Sequence, residues 1–197
     1  MKLGLYGGSF DPIHNAHLII AQFVLDELQL EKVIFIPSAI PPHKETFASS
    51  EYRCKMVQLA IQDNPRFECS DVEIQRGGTS YSVDTITYFR DRYHLDKENL
   101  FWIMGSDNLV DLPNWKQPER ILQMCTIVVF PRRKNNFHQA PMEIRQQVIY
   151  LKDAPIIDIS STTIRHFLSA RRSIKYLVPP EVEKIILDKG LYHNLPK

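Results

Sequence analysis

Short runs of apolar residues alternate along this chain with longer stretches in which apolar positions recur every three or four residues. The short runs predict strands at residues 2–6, 32–36, 67–73, 100–104, 126–130 and 155–158. The longer ones predict helices at 15–28, 51–63, 82–93, 118–124, 142–150, 162–170 and 180–189. Strand and helix in alternation is the pattern of βα units, and it predicts an α/β fold: a doubly wound parallel sheet with helices on both faces. No internal repeat, low-complexity tract or long linker interrupts it, so the expectation is a single domain over residues 1–197. Turn residues gather at the strand exits, with Gly7 and Gly8 after the first, Pro37, Pro41 and Pro42 after the second, and Gly105 after the fourth. Ligands of open α/β sheets bind outside the carboxyl ends of the strands. The loops at these exits are therefore where candidate chemistry is sought.

Composition narrows the partners. Hydrophobic residues make up 44% of the chain, enough for a sizeable core. Lys plus Arg number 24 against 23 for Asp plus Glu, a net charge of +1, which argues against a nucleic-acid binder. A small anionic ligand held by a few local cations stays compatible with that balance. Cys54, Cys69 and Cys125 lie far apart with no CxxC pair and read as free thiols in a reducing compartment. The opening Lys-Leu-Gly-Leu-Tyr reads as a strand rather than a signal peptide, and no apolar run is long enough for a bilayer. The expectation is a cytoplasmic protein with no membrane partner; a homo-oligomer is compatible with the sequence.

The first strand exit is the richest segment: Gly7-Gly8-Ser9-Phe10-Asp11-Pro12-Ile13-His14-Asn15-Ala16-His17. Two glycines let backbone amides approach a ligand closely. The helix N-terminus that follows adds unpaired N–H groups and partial positive charge, a natural phosphate site. His14 and His17, three apart, share one face of the first helical turn, so both ring N–H groups can serve one phosphate. The segment is neither GxxxxGK[ST] nor GxGxxG, and it lacks HExxH with a third ligand nearby, although a metal pair or a purely structural role for the histidines fits the spacing too. Near the other end, Ile159-Ser160-Ser161-Thr162-Thr163-Ile164-Arg165 opens a helix. N-capping accounts for one of its hydroxyls, and Arg165, one turn in, can reach back to a polyphosphate at the same N-terminus.

The first segment resembles the (H/T)xGH loop of the nucleotidyltransferase superfamily, with Ala16 where that loop has glycine, and the second resembles its ISSTxIR motif at every specified position. The superfamily has a Rossmann-like fold. Three further segments are similar to those of bacterial nicotinate mononucleotide adenylyltransferases. Arg76-Gly77-Gly78-Thr79-Ser80-Tyr81-Ser82-Val83-Asp84-Thr85 resembles RGGxSYTxDT, departing in Ser82; Pro41-Pro42-His43-Lys44 matches a PxHK loop; and Leu112-Pro113-Asn114-Trp115 looks like the loop whose Trp stacks on a pyridine ring. Gly105-Ser106-Asp107 resembles the GxD motif, where the Asp holds ribose hydroxyls.

The resemblance implies AMP transfer from ATP to nicotinate mononucleotide, giving deamido-NAD and pyrophosphate. It implies His14, His17 and Arg165 as catalytic residues. For ATP it implies Gly7, Gly8, Ser9, Phe10, Gly105, Asp107, Ile159, Ser160, Ser161 and Thr162. For nicotinate mononucleotide it implies Lys44 at the phosphate, with Tyr81, Thr85 and Trp115 around the base. Magnesium is expected to be bound mainly through the ATP phosphates, with no dedicated protein metal site. Lys44 read alone is a surface cation, and Trp115 read alone is equally a core aromatic, although Pro113 favours a loop. The run 132–134 reads as solvated surface, with Arg132 a weak phosphate candidate. Another adenylyl- or cytidylyltransferase, or a non-catalytic nucleotide sensor, are the alternatives.

Overall fold

The computed structural model describes residues 1–132 and 136–193; Arg133 and Lys134 of the basic run lie outside the described residues. The strands are β1 (Leu3–Gly8), β2 (Lys32–Pro37), β3 (Phe67–Cys69), β4 (Leu100–Gly105), β5 (Thr126–Phe130) and β6 (Val148–Tyr150). They form one sheet of order β3-β2-β1-β4-β5-β6, and every pairing is parallel. This is the doubly wound α/β order that the alternation predicts. The chain winds outward from β1 to β3, returns to β4 and winds outward again, which leaves a crevice where the carboxyl ends of β1 and β4 diverge.

Both faces of the sheet are covered. On one face lie α1 (Asn15–Glu27), α2 (Ser50–Ile61), α8 (Ser161–Ser169) and α9 (Pro180–Asp188). In α1 the buried residues Ala16, Ile20, Ala21, Val24 and Leu25 follow helical spacing and meet Tyr6 and Phe35 of the sheet. The other face carries α4 (Ser82–Tyr93), α5 (Ser106–Asp111) and α6 (Pro118–Met124), whose Val83, Ile86, Phe89, Leu109 and Ile121 pack on Leu3, Leu5, Ile34 and Trp102. The central strands are apolar throughout because both their faces are buried. No helix among the described residues is long and apolar enough to cross a membrane.

Two elements differ from the sequence expectation. The predicted strand 67–73 ends at Cys69, and the chain turns into a short helix, α3 (Val72–Arg76). The alternating Val72 and Ile74 imitate a strand, but the ladder stops with Ser70 N–H on the Phe35 carbonyl, and Gly77 closes the helix at φ 69°. The predicted helix 142–150 contains only the single turn α7 (Met142–Arg145) and then β6. Val148, Ile149 and Tyr150 are β-branched or aromatic and pair with Ile127, Val128 and Val129, so the sheet edge takes them out of the helix. The predicted strand 155–158 is instead an irregular approach to α8.

Candidate active site

Gly7 and Gly8 end β1 where the backbone passes close to aromatic rings: a Cβ on Gly7 would come within 2.6 Å of the Trp102 ring. Phe10 follows in a left-handed conformation, φ 46°, with its ring edge-on to Tyr6 and His17. His14 is extended at the N-cap of α1, and His17 stands one turn on. Their rings stack with centroids 3.7 Å apart and planes 25° apart. The backbone N–H of His14 donates to Nδ1 of His17 at 3.2 Å, which leaves the His17 proton on Nε2.

Burial, reinforced by the positive charge of Arg132, lowers His14 to about 3. Burial also holds His17 well below its ordinary value, with His14, Arg132 and Lys44 adding to the effect. Both rings are therefore neutral near pH 7, each able to give a ligand one N–H. Nδ1 of His14 is buried with no hydrogen-bond partner among the described residues. The charge of Lys44 also acts on His17, and Arg132 pairs with Asp107 at 3.8 Å and donates its backbone N–H to Ser106 Oγ. Gly105 sits under this pair, since a Cβ there would collide with Asp107 and approach Arg132.

The distal motif docks directly on this loop. Ser161 Oγ donates to the Pro12 carbonyl at 2.9 Å, across 149 residues of sequence. Arg165 donates through Nη1 to the Asp11 carbonyl at 2.7 Å and through Nη2 to Thr162 Oγ1 at 3.2 Å. Ser160 caps α8, its Oγ accepting from the Thr163 N–H at 3.1 Å, and Ile159 packs against the core beneath. Of the four hydroxyls, Ser160 serves as the cap and lies 2.9 Å from Thr163 Oγ1, Ser161 spends its proton on docking, and Thr162 accepts from Arg165.

The segment from Arg76 to Thr85 is joined to the loop after β2 by two bonds, Ser80 N–H to the Ile40 carbonyl and Ala39 N–H to Ser80 Oγ. Tyr81 is the N-cap of α4, and Trp115 closes a 3-10 turn at Leu112–Asn114; both pack half-buried at the edge of the same core cluster. Thr85 is different. It is fully buried, and its hydroxyl donates to Glu73 Oε1 at 2.6 Å while accepting from Arg76 at 3.2 Å. Burial raises the pKa of Glu73, and Thr85 is one of the few donors that offset this. Its proton is committed to Glu73, and its complete burial keeps it from a ligand.

Three contributors escaped sequence reasoning. Asp11, 2% exposed, accepts the Phe47 and Ala48 N–H groups and the Tyr192 hydroxyl. Arg53, 1% exposed, donates to the carbonyls of Ser9, Ala39 and Ala48 and so pins the loop after β2 to the loop after β1. Lys116 lies 4.4 Å from the Tyr81 ring centroid and pairs with Asp84 at 3.1 Å. Only Lys116 left a signal in the sequence, as the cation adjoining Trp115.

A neutral histidine pair at one helix start thus stands beside a second helix start carrying Arg165, with Arg132 and Lys44 adding positive charge that acts on His17. The cytidylyltransferase-like family model matches residues 5–167, and the chain belongs to that family. It is 42% identical to the probable nicotinate-nucleotide adenylyltransferase of Caldicellulosiruptor saccharolyticus, over 98% of this chain and 99% of that protein. It is 44% identical to the one of Caldicellulosiruptor bescii, with the same coverage. Within the family, the chain falls with these nicotinate-nucleotide adenylyltransferases. Its fold matches that of Plasmodium falciparum nicotinic acid mononucleotide adenylyltransferase complexed with NaAD, with a TM-score of 0.78 at 19% identity over 97% of each chain.

Proposed function

We propose that the chain transfers the adenylyl group of ATP to nicotinate mononucleotide, releasing pyrophosphate and forming nicotinate adenine dinucleotide. The observation that carries this reading is the docking of Arg165 and the α8 start on the histidine loop, which gathers neutral N–H donors and cations around one small volume.

The nucleophile is the phosphate monoester of the mononucleotide, largely dianionic at neutral pH because its second pKa is about 6. No side-chain base is needed, in keeping with histidines held neutral by burial. What the reaction demands is the approach of two anions and stabilisation of charge on the α-phosphate and the leaving pyrophosphate. Nε2–H of His17, with its tautomer set by the His14 backbone, donates to those oxygens, and His14 donates beside it. Lys44 holds the attacking phosphate and Arg165 the polyphosphate, with Arg132 a further phosphate cation. The backbone of Gly7 to Phe10 and the hydroxyls of Ser160 and Thr162 line the ATP side; Asp107, tethered by Arg132, serves the ribose.

Magnesium, when bound, screens the charge of the phosphates. The groups that face the histidines are cations and N–H donors, and no cluster of three or more metal-ligating side chains occurs among the described residues. Magnesium would be held mainly through the phosphate oxygens of ATP and water.

On the acceptor side Trp115 and Tyr81 flank the base, and the first-turn amides of α4 favour a carboxylate. The charge of Lys116 is met by Asp84, which leaves those amides as the discriminating donors. Pyrophosphate release from ATP with nicotinate mononucleotide, beside the same assay with nicotinamide mononucleotide, tests the proposal. The expected preference in kcat/KM is at least about a hundredfold for nicotinate. Equal rates would remove the carboxylate reading, and no release with either would remove the activity.

A further inference from the structure

Phe47 belongs to neither core cluster and is 44% exposed, yet its ring is not loose on the surface. Its backbone N–H donates to Oδ2 of the buried Asp11 at 2.7 Å. Oδ1 of the same carboxylate holds the N–H of Ala48 at 3.1 Å and the hydroxyl of Tyr192 at 2.7 Å. Burial raises the pKa of Tyr192, so its hydroxyl stays protonated and donates. The Phe47 backbone is thereby clamped to the loop after β1 from a carboxylate whose other partners, Ala48 and Tyr192, are buried.

Over the ring so positioned lies the guanidinium of Arg165, with its central carbon 4.6 Å from the ring centroid. The same guanidinium donates to the main-chain carbonyl of Asp11. Asp11 therefore fixes Arg165 twice, directly through its carbonyl and indirectly through the ring that its carboxylate holds in place. An arginine over an aromatic face loses torsional freedom while its charge stays available, because the face takes up none of its N–H groups. Its donors outnumber the two engaged in the structure, so the others are left for an anion.

We infer that Phe47 is a positioning residue for ATP: its ring is the shelf that pre-orients Arg165 toward the polyphosphate. This rests on the assignment of Arg165 to the polyphosphate. It also gives the loop after β2 two tasks, since Lys44 from the same loop serves the other phosphate.

The test is the dissociation constant for ATP, measured by calorimetry so that inactive variants remain readable. Proteins compared are the parent chain, Phe47→Leu, Phe47→Trp, Arg165→Ala and the Phe47→Leu/Arg165→Ala double variant. Phe47→Leu should weaken ATP about threefold, the scale of an exposed cation–π contact, with an unchanged thermal midpoint. Phe47→Trp should restore it, and Phe47→Leu should have no further effect once Arg165 is alanine. Unaltered affinity in Phe47→Leu, or the same threefold loss in the Arg165→Ala background, would overturn the shelf while leaving Arg165 in its role. A loss that tryptophan does not rescue and that tracks a lowered midpoint would overturn it as well. Arg165→Ala binding ATP as tightly as the parent would instead sink the assignment on which the shelf depends.

Discussion

The loops after β1 and β2 meet at the same site but are built in opposite ways. In the first, Phe10, Asp11 and His14 are each 2% exposed, and the donors are set by ring stacking and a fixed tautomer. The second carries Lys44 on an exposed stretch, held at its base, where Arg53 binds the carbonyls of Ala39 and Ala48, Ser80 bonds Ala39 and Ile40, and Asp11 binds two amides. A buried group cannot adjust to a charge that appears, so it must already be in place. An exposed lysine on a strap can follow its partner but contributes less per contact. On the proposed function, the first loop would stabilise the transition state and the second would gather substrate.

This division can be broken in several ways. The largest effect should come from His17→Ala, which removes a preset donor in the buried loop. Turnover is expected to fall at least about a hundredfold, with the KM values changing far less. Steady-state kinetics showing near-normal turnover would end the catalytic assignment.

Next in size is Thr85→Val, which strips Glu73 of a donor in a buried network. Stability should drop by about 1–3 kcal/mol in a denaturant titration. A change in KM for the mononucleotide without that loss would return Thr85 to the binding surface, where sequence reasoning had it.

Lys44→Ala should lower kcat/KM for the mononucleotide by about tenfold, roughly the value of one exposed charged contact, mainly through KM and with an unaltered denaturation midpoint. If it instead depressed turnover as severely as His17→Ala, the two loops would not differ in role.

The smallest effect on turnover is its pH dependence. Buried neutral histidines should add no inflection to turnover near 6.5, so any acid limb there belongs to the substrate phosphate. Stability follows from the same depressed values. Since the unfolded chain takes up these protons near 6.5 and folded His14 only near 3, the histidines' contribution is complete above 6.5 and is lost as pH falls toward 3. Thermal melts across that range check the sign.

Legibility in the sequence tracked how local the causes were. β5, α4 and α6 occupy the residues that the apolar pattern predicts, because β5 is a continuous apolar run buried on both faces and each helix buries one apolar face of its own. β6 was hidden: Val148 to Tyr150 can continue a helix as readily as form a strand, and only an open edge on β5 decides between them. Arg53 was hidden for a related reason. An arginine between Tyr52 and Cys54 on an amphipathic helix reads as solvent-facing, and nothing local announces that three carbonyls from two distant loops will surround it.

The residue types at the histidine loop and the α8 start were readable from the chain alone, since glycines, a helix start and paired N–H donors carry their chemistry wherever they lie. So was the alternation that makes a parallel sheet. The convergence of Ser161 and Arg165 on Pro12 and Asp11, the neutrality of both histidines, and the conversion of Thr85 from ligand contact to buried strut were decided by tertiary structure. The convergence depends on partners about 150 residues apart, while the neutral histidines and the Thr85 network depend on desolvation, which only packing of the helices on the sheet provides.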